Sequence, residues 1–243
     1  MAAVVTAITD SVHLAQTDLV NWTLLTDEGG VTLIDAGFPG DRDDVLASLS
    51  ELGFGIDDLR AIVLTHAHID HLGAAIWFAK THDTPVYCHP NEVGHTKREY
   101  LEQVSPADII ARIWRPRWLT WSVAITRKGG MVRDGIPTAQ ALTHDIAAGL
   151  PGKPMAIPTP GHTGGHCSFV VDGVLISGDA LVTGHPVTPR KGPQLPHAVF
   201  NHDQANCVRS LAALGMLETD VLLPGHGPVW RGPIRDAVEL ASR

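Results

Sequence analysis

Thr65, His66, Ala67, His68, Ile69, Asp70, His71, Leu72 and Gly73 follow one another in the chain. Three imidazoles and a carboxylate fall within six positions, directly after an apolar run over residues 61–64. Such a cluster at a strand end needs something to satisfy it, and a divalent metal is the natural candidate. Neutral imidazole nitrogen and carboxylate oxygen are ligands that zinc accepts, at about 2.0–2.2 Å. His66 and His68, two apart on an extended segment, point to one side. Asp70 and His71 follow where the chain must turn, so they can address a second ion.

Three further fragments carry the same chemistry. Thr159-Pro160-Gly161-His162-Thr163-Gly164-Gly165-His166, then Ser177-Gly178-Asp179, then Pro224-Gly225-His226-Gly227 each place a His or Asp just after an apolar run and beside glycine. Glycine lets the backbone turn sharply there, and strand ends are where sites are usually built. With His166 left aside, the four motifs supply five His and two Asp, enough for two metal ions. Two cations sharing one water would deprotonate it near neutral pH, giving a nucleophile in place. They would also polarise a carbonyl and stabilise the developing oxyanion. The bond attacked would most naturally be an ester, thioester, lactone or similar acyl bond, and Asp70 would be available to handle a proton in the second half of the reaction.

Strands and helices must deliver these groups. Residues 4–8, 21–26 and 31–35 are β-favouring, with Glu28-Gly29-Gly30 as a turn. Residues 41–52 have helical spacing and stop at Gly53. A strand over 61–65 enters the first motif, a helix over 72–80 leaves it, and a strand over 85–88 follows. Residues 91–135 read as a helical insertion carrying Trp114, Trp118 and Trp121, with Pro116 interrupting it. Residues 127–153 read as loop or weak strand. Strands over 155–160, 167–171 and 174–178 follow, the last two joined at Asp172-Gly173. Residues 183–196 hold four prolines and two glycines and read as a long loop. A helix over 203–217, a strand over 220–223 and an amphipathic helix over 234–242 complete the chain. The pattern predicts two sheets with helices outside each, in one domain over 1–243.

The totals agree with an enzyme-sized core. The chain has 243 residues, 44% of them hydrophobic and 18% charged, with a formal net charge of -8. An acidic chain lacks the broad basic surface that nucleic acid requires. Cys88, Cys167 and Cys207 form no C-x-x-C pair and read as reduced thiols. No run approaches 18 apolar residues, so no membrane partner is expected. The N-terminus shows no signal-peptide pattern, and a cytoplasmic location is the expectation.

With these motifs in this order, the chain resembles the metallo-β-lactamase superfamily, in its glyoxalase II-like and lactonase-like branch, from about residue 10 to 230. The resemblance implies an α/β fold, the αββα four-layer sandwich, with the site on one edge between the sheets. It assigns His66, His68 and His162 to one metal, Asp70, His71 and His226 to the second, and Asp179 as the bridge. It implies two zinc ions, with iron or manganese also compatible, and a small-molecule substrate. In relatives that hydrolyse β-lactams the bridging position is not aspartate, so Asp179 argues against a dedicated β-lactamase. Seventeen residues follow His226, short of the helical domain that binds glutathione in glyoxalase II relatives. A more apolar acyl substrate, a lactone or lipid-like ester, is the expectation, with residues 91–135 shaping its pocket.

Other relatives give rival readings: a mononuclear iron persulfide dioxygenase, an RNA-cutting nuclease, and a metal-stabilised binding module without activity. The remaining histidines read as accessory. His166 is expected beside the ligands without being one. His13, His82, His89, His95 and His144 are expected as surface or core residues, and His185, His197 and His202 are expected not to reach the substrate. The three tryptophans are read as packing, and Arg190 and Lys191 as solvated.

Overall fold

In the computed structural model, which describes residues 2–243, strand alternation sets the layering. β1 (Val4–Ala7), β2 (Val12–Gln16), β3 (Asn21–Asp27) and β4 (Gly30–Ile34) form an antiparallel meander. α1 (Arg42–Glu51) then crosses over to β5 (Leu59–Val63), and α2 (Ile69–His82) to β6 (Val86–Cys88). Helices α3 (Val93–Thr96), α4 (Pro106–Ile110) and α5 (Pro116–Arg127) precede the two-residue edge strand β7 (Gln140–Ala141). β4 to β7 pair in parallel, which completes a seven-stranded sheet in chain order.

The second sheet follows α6 (His144–Gly149). It contains β8 (Met155–Pro158), β9 (Cys167–Val171), β10 (Val174–Gly178), β11 (Val221–Pro224) and β12 (Trp230–Arg231), in the order β12-β11-β10-β9-β8. α7 (Gln204–Leu214) is the crossover between the parallel pair β10 and β11, and α8 (Ile234–Ala241) ends the chain.

Period-two alternation feeds separate cores. Trp22, Leu24, Val31 and Leu33 pack with Val45, Leu49, Leu72 and Phe78 of α1 and α2. Their strand neighbours Leu25, Ile34 and Val63 meet Phe169, Val171 and Ile176 between the sheets. Leu175 and Leu222 pack with Leu211, Leu214, Ile234 and Ala237 of α7 and α8. The layers are therefore helix, sheet, sheet, helix, as expected. Each fully buried side chain of this size contributes about 1.5–3 kcal/mol. A fourth cluster, with Trp118, Trp121 and Ile125 against Phe38, Ile69 and Phe200, holds α5 over one edge.

Several local expectations are corrected. β2 was not expected; Val12 and Leu14 are buried, but His13 and Gln16 dilute the pattern. α2 begins at Ile69 rather than 72, because His68 takes the extended cap position and Asp70 suits the positive end of the helix dipole. Pro116 opens α5 instead of interrupting a helix, since its missing N–H costs nothing in a first turn. Within 127–153, Thr143 caps α6 by accepting from the Ile146 amide.

Candidate metal centre

All seven residues expected at the site converge on the edge between the sheets. His66 and His68 lie on the stretch after β5, while Asp70 and His71 occupy the first turn of α2. His162 sits between β8 and β9, Asp179 just after β10, and His226 just after β11. His66, His68 and His162 place one donor atom each within 4.8 Å of one another. So do Asp70, His71 and His226, and so do His66, His71 and Asp179. Asp179 Oδ2 lies 3.3 Å from His162 Nε2 and 3.2 Å from His226 Nε2, and thus spans the two groups. Gly225 permits this spacing, because a Cβ there would stand 2.3 Å from Asp179 Oδ1.

The outward nitrogens determine what the inward ones can do. His71 Nδ1–H donates to Asp35 Oδ2 at 2.8 Å, and His162 Nδ1–H donates to Asn201 Oδ1 at 2.8 Å. His226 Nδ1–H donates to the Leu19 carbonyl at 2.5 Å, and His68 Nε2–H to the Glu102 carbonyl at 2.6 Å. Thr65 gives its hydroxyl proton to Asp35, so its oxygen accepts from His66 Nδ1–H at 3.0 Å. These partners fix the tautomers: in its neutral, metal-binding form each of the five imidazoles spends its proton on the protein and turns a lone pair inward. His66 Nε2, His71 Nε2 and Asp179 Oδ1 are buried with no hydrogen-bond partner. His68 Nδ1 and His162 Nε2 approach to 3.0 Å with both protons committed elsewhere. Two facing lone pairs and three orphaned buried acceptors are costly unless a cation sits among them. The residues present fit divalent metal.

Electrostatics give the same answer. Burial holds His66 and His68 well below the usual imidazole range, and burial also lowers His162. Burial would lower His71 too, but Asp35, Asp179 and Asp70 outweigh it and push it up to about 10. His226 is raised because Asp179 and Asp70 overcome its burial. Asp179 stays well below the usual carboxylate range, because His226 and His71 overcome the burial that would raise it. Positive charge is favoured at the Asp70, His71, Asp179 and His226 end.

Sequence reasoning missed the bracing residues. Asp35 sits just past β4 at φ 61° and also accepts from the Thr65 amide at 2.8 Å. Its signal was an Asp directly before Ala36-Gly37 at a strand end. Glu92 is fully buried. Its carboxylate accepts from the Ala67 amide, His95 Nδ1–H, the Thr163 hydroxyl and the Gly165 amide, at 2.8, 2.8, 2.8 and 3.0 Å. It therefore ties the His66–His68 stretch to the His162 loop, and no sequence signal marks it. His166 takes its expected place: Nε2 accepts from the Asp179 amide at 3.0 Å, and burial holds its pKa at about 3.

The pocket above the site is mostly apolar. Phe38, Ile69, Val104, Ile109, Trp121, Ile125 and Phe200 line it, and His68, Asp70, His162, Asp179 and His226 form its floor. His185 also lines it, contrary to expectation, with its ring centroid 4.8 Å from that of His226. His185 Nδ1 accepts from the Val187 amide at 3.3 Å, so Nε2 carries the proton. Burial, then the neighbouring His226, keeps this ring well below the usual imidazole range. The tryptophans divide: Trp118 and Trp121 pack as expected, while Trp114 is 74% exposed. No described helix is long and apolar enough to cross a membrane.

Comparison with known proteins adds the family. The family model described as Metallo-beta-lactamase superfamily matches residues 15–226. A probable metallo-hydrolase, YflN of Bacillus subtilis (strain 168), is 34% identical over 226 residues, covering 87% of this chain and 81% of that protein. The uncharacterized protein YobT of the same organism is 31% identical over 235 residues, covering 92% and 91%. In the fold alone, a metallo-beta-lactamase family protein from Thermus thermophilus superposes with a TM-score of 0.64 at 23% identity, covering 97% of this chain and 80% of that one.

Proposed function

Taking as premise that the chain belongs to the metallo-beta-lactamase superfamily, we propose that it is a binuclear zinc hydrolase of an apolar acyl substrate, an ester, thioester or lactone, acting as one domain over 1–243. The observation that carries this reading is the set of five imidazoles whose protons are all spent outward. His66, His68 and His162 would hold one ion, Asp70, His71 and His226 the second, and Asp179 both. Bound there, the ions would supply Lewis acidity for the carbonyl and a nucleophile from water at neutral pH.

The chain's own groups divide the remaining work. The apolar walls take the acyl chain and exclude water, which strengthens every polar contact at the floor. Asp70, whose side chain is 20% exposed, faces both the pocket and His226 and serves as the proton carrier for the leaving group. His185 Nε2–H donates to the oxygen on which negative charge develops. A neutral imidazole suits this role, because it gives a hydrogen bond without repelling the cations beside it.

The test is hydrolysis by zinc-loaded protein of p-nitrophenyl esters, acyl thioesters and lactones of increasing chain length. Turnover that a chelator abolishes, with KM falling as the chain lengthens, is expected. Fully loaded protein that turns over none of the three classes would overturn the reading.

A further inference from the structure

The helical insertion has an outer face that the pocket does not use. Ile110 is 65% exposed and Trp114 74%, in and just after α4. On α5, Leu119, Val123 and Arg127 stand in one exposed row at successive four-residue spacings, opposite buried Trp118, Trp121 and Ile125. Six side chains between residues 109 and 133 are Arg or Lys and none is Asp or Glu, in a chain of formal net charge -8. Arg112 pairs with Asp108 at 3.5 Å, and Lys128 with Asp41 and Asp44 at 2.6 and 3.1 Å. Arg115, Arg117 and Arg127 meet no carboxylate among the described residues. Arg115 instead lies over the exposed Trp114 ring, 5.0 Å from its centroid.

From this juxtaposition we propose that the outer face of residues 110–127 docks on an anionic lipid surface. Exposed Trp, Ile and Leu beside unpaired Arg is the composition that suits the headgroup boundary. There the apolar groups leave water and each cation meets lipid charge. A second copy of the chain fits poorly, because a symmetric contact would bring two patches of the same sign together. The expectation of no membrane partner rested on spanning runs, which peripheral docking does not need. The inner face of the same helices, through Ile109, Trp121 and Ile125, lines the pocket. A docked insertion thus puts the pocket mouth beside a source of acyl chains. That consequence rests on the acyl-hydrolase reading; the docking itself does not.

The experiment therefore reads binding alone, by flotation of the intact protein with vesicles of phosphatidylcholine, with or without about 30% phosphatidylglycerol. Binding to the anionic vesicles, weakened at high salt, is expected. Each of Arg115→Ala and Arg127→Ala should weaken it about fivefold. Trp114→Ala should weaken it on both low- and high-salt arms. All three variants should retain wild-type metal content. Absence of binding to anionic vesicles overturns the proposal, as does equal binding to neutral ones. Tighter binding to RNA than to vesicles, or a wild-type dimer that Trp114→Ala makes monomeric, also overturns it.

Discussion

Two regions meet at one pocket and treat polar and apolar groups in opposite ways. Around the strand ends, His66, His71, His162, His226, Asp179 and Glu92 are buried, and nearly every outward-facing polar atom has a named partner. In residues 106–127 only one helix face is buried, while Ile110, Trp114, Leu119 and Val123 remain in solvent. The first region fixes where charge can sit to within a hydrogen bond's reach. The second offers apolar walls with no such fixing. Under the proposed function the strand ends would carry the chemistry and the insertion the choice of substrate, so substitutions in the two regions should fail in different measurements.

The largest effect should come from removing an inward nitrogen. His162→Ala leaves His68 Nδ1 without its 3.0 Å neighbour, and metal affinity should fall by more than the roughly 100-fold that bounds loss of an outer partner. Equilibrium dialysis would show it, and a variant that keeps full metal content breaks the comparison. His185→Gln should instead lower kcat about 100-fold with metal content unchanged. Loss of metal in that variant would move His185 into the ligand set. Asp35→Asn keeps the shape beside Thr65 and His71 but removes the charge, so metal affinity should fall about 10- to 100-fold. Unchanged affinity would show that the His71–Asp35 contact is only packing.

The proton on His71 sharpens the same contrast. Without metal, the raised His71 stabilises the fold fully below its ordinary 6.5 and loses that contribution as pH rises towards about 10. A metal must displace this proton, so affinity should tighten about tenfold per pH unit from 6.5 upward. Calorimetric titrations in buffers of different ionisation enthalpy should show proton release, and pH-independent affinity would contradict it. Below 6.5 the sign reverses for the groups buried neutral. Burial depresses His66, His68, His166 and His185, so the metal-free protein should lose stability as acid forces charge onto them. In the insertion, Trp121→Ala should raise KM for a long-chain ester about tenfold while sparing kcat and metal content. Its ring is part of the apolar wall of the pocket.

The same division governs what could be read from sequence. His66, His68, Asp70 and His71 announce themselves because one short run is too polar for its setting, and glycine beside His162, Asp179 and His226 marks strand ends. Two sheets with helices outside each were legible from the grouping of strand and helix runs, whereas the division of Leu24 from Leu25 and of Leu33 from Ile34 between two cores was not, because consecutive apolar residues show no alternation. Glu92 was not legible, since its role comes from amides 25 and 73 residues away. His185 reached the pocket through a proline-rich loop whose course no periodicity encodes. The start of α2 was misplaced because two site residues, Asp70 and His71, are also its first turn.

The most direct test is elemental analysis of protein purified gently and without added metal. The account predicts two divalent ions per chain, zinc foremost, with occupancy falling in His162→Ala. Protein that holds no ion, or a single iron accompanied by oxygen uptake on a persulfide, would contradict it.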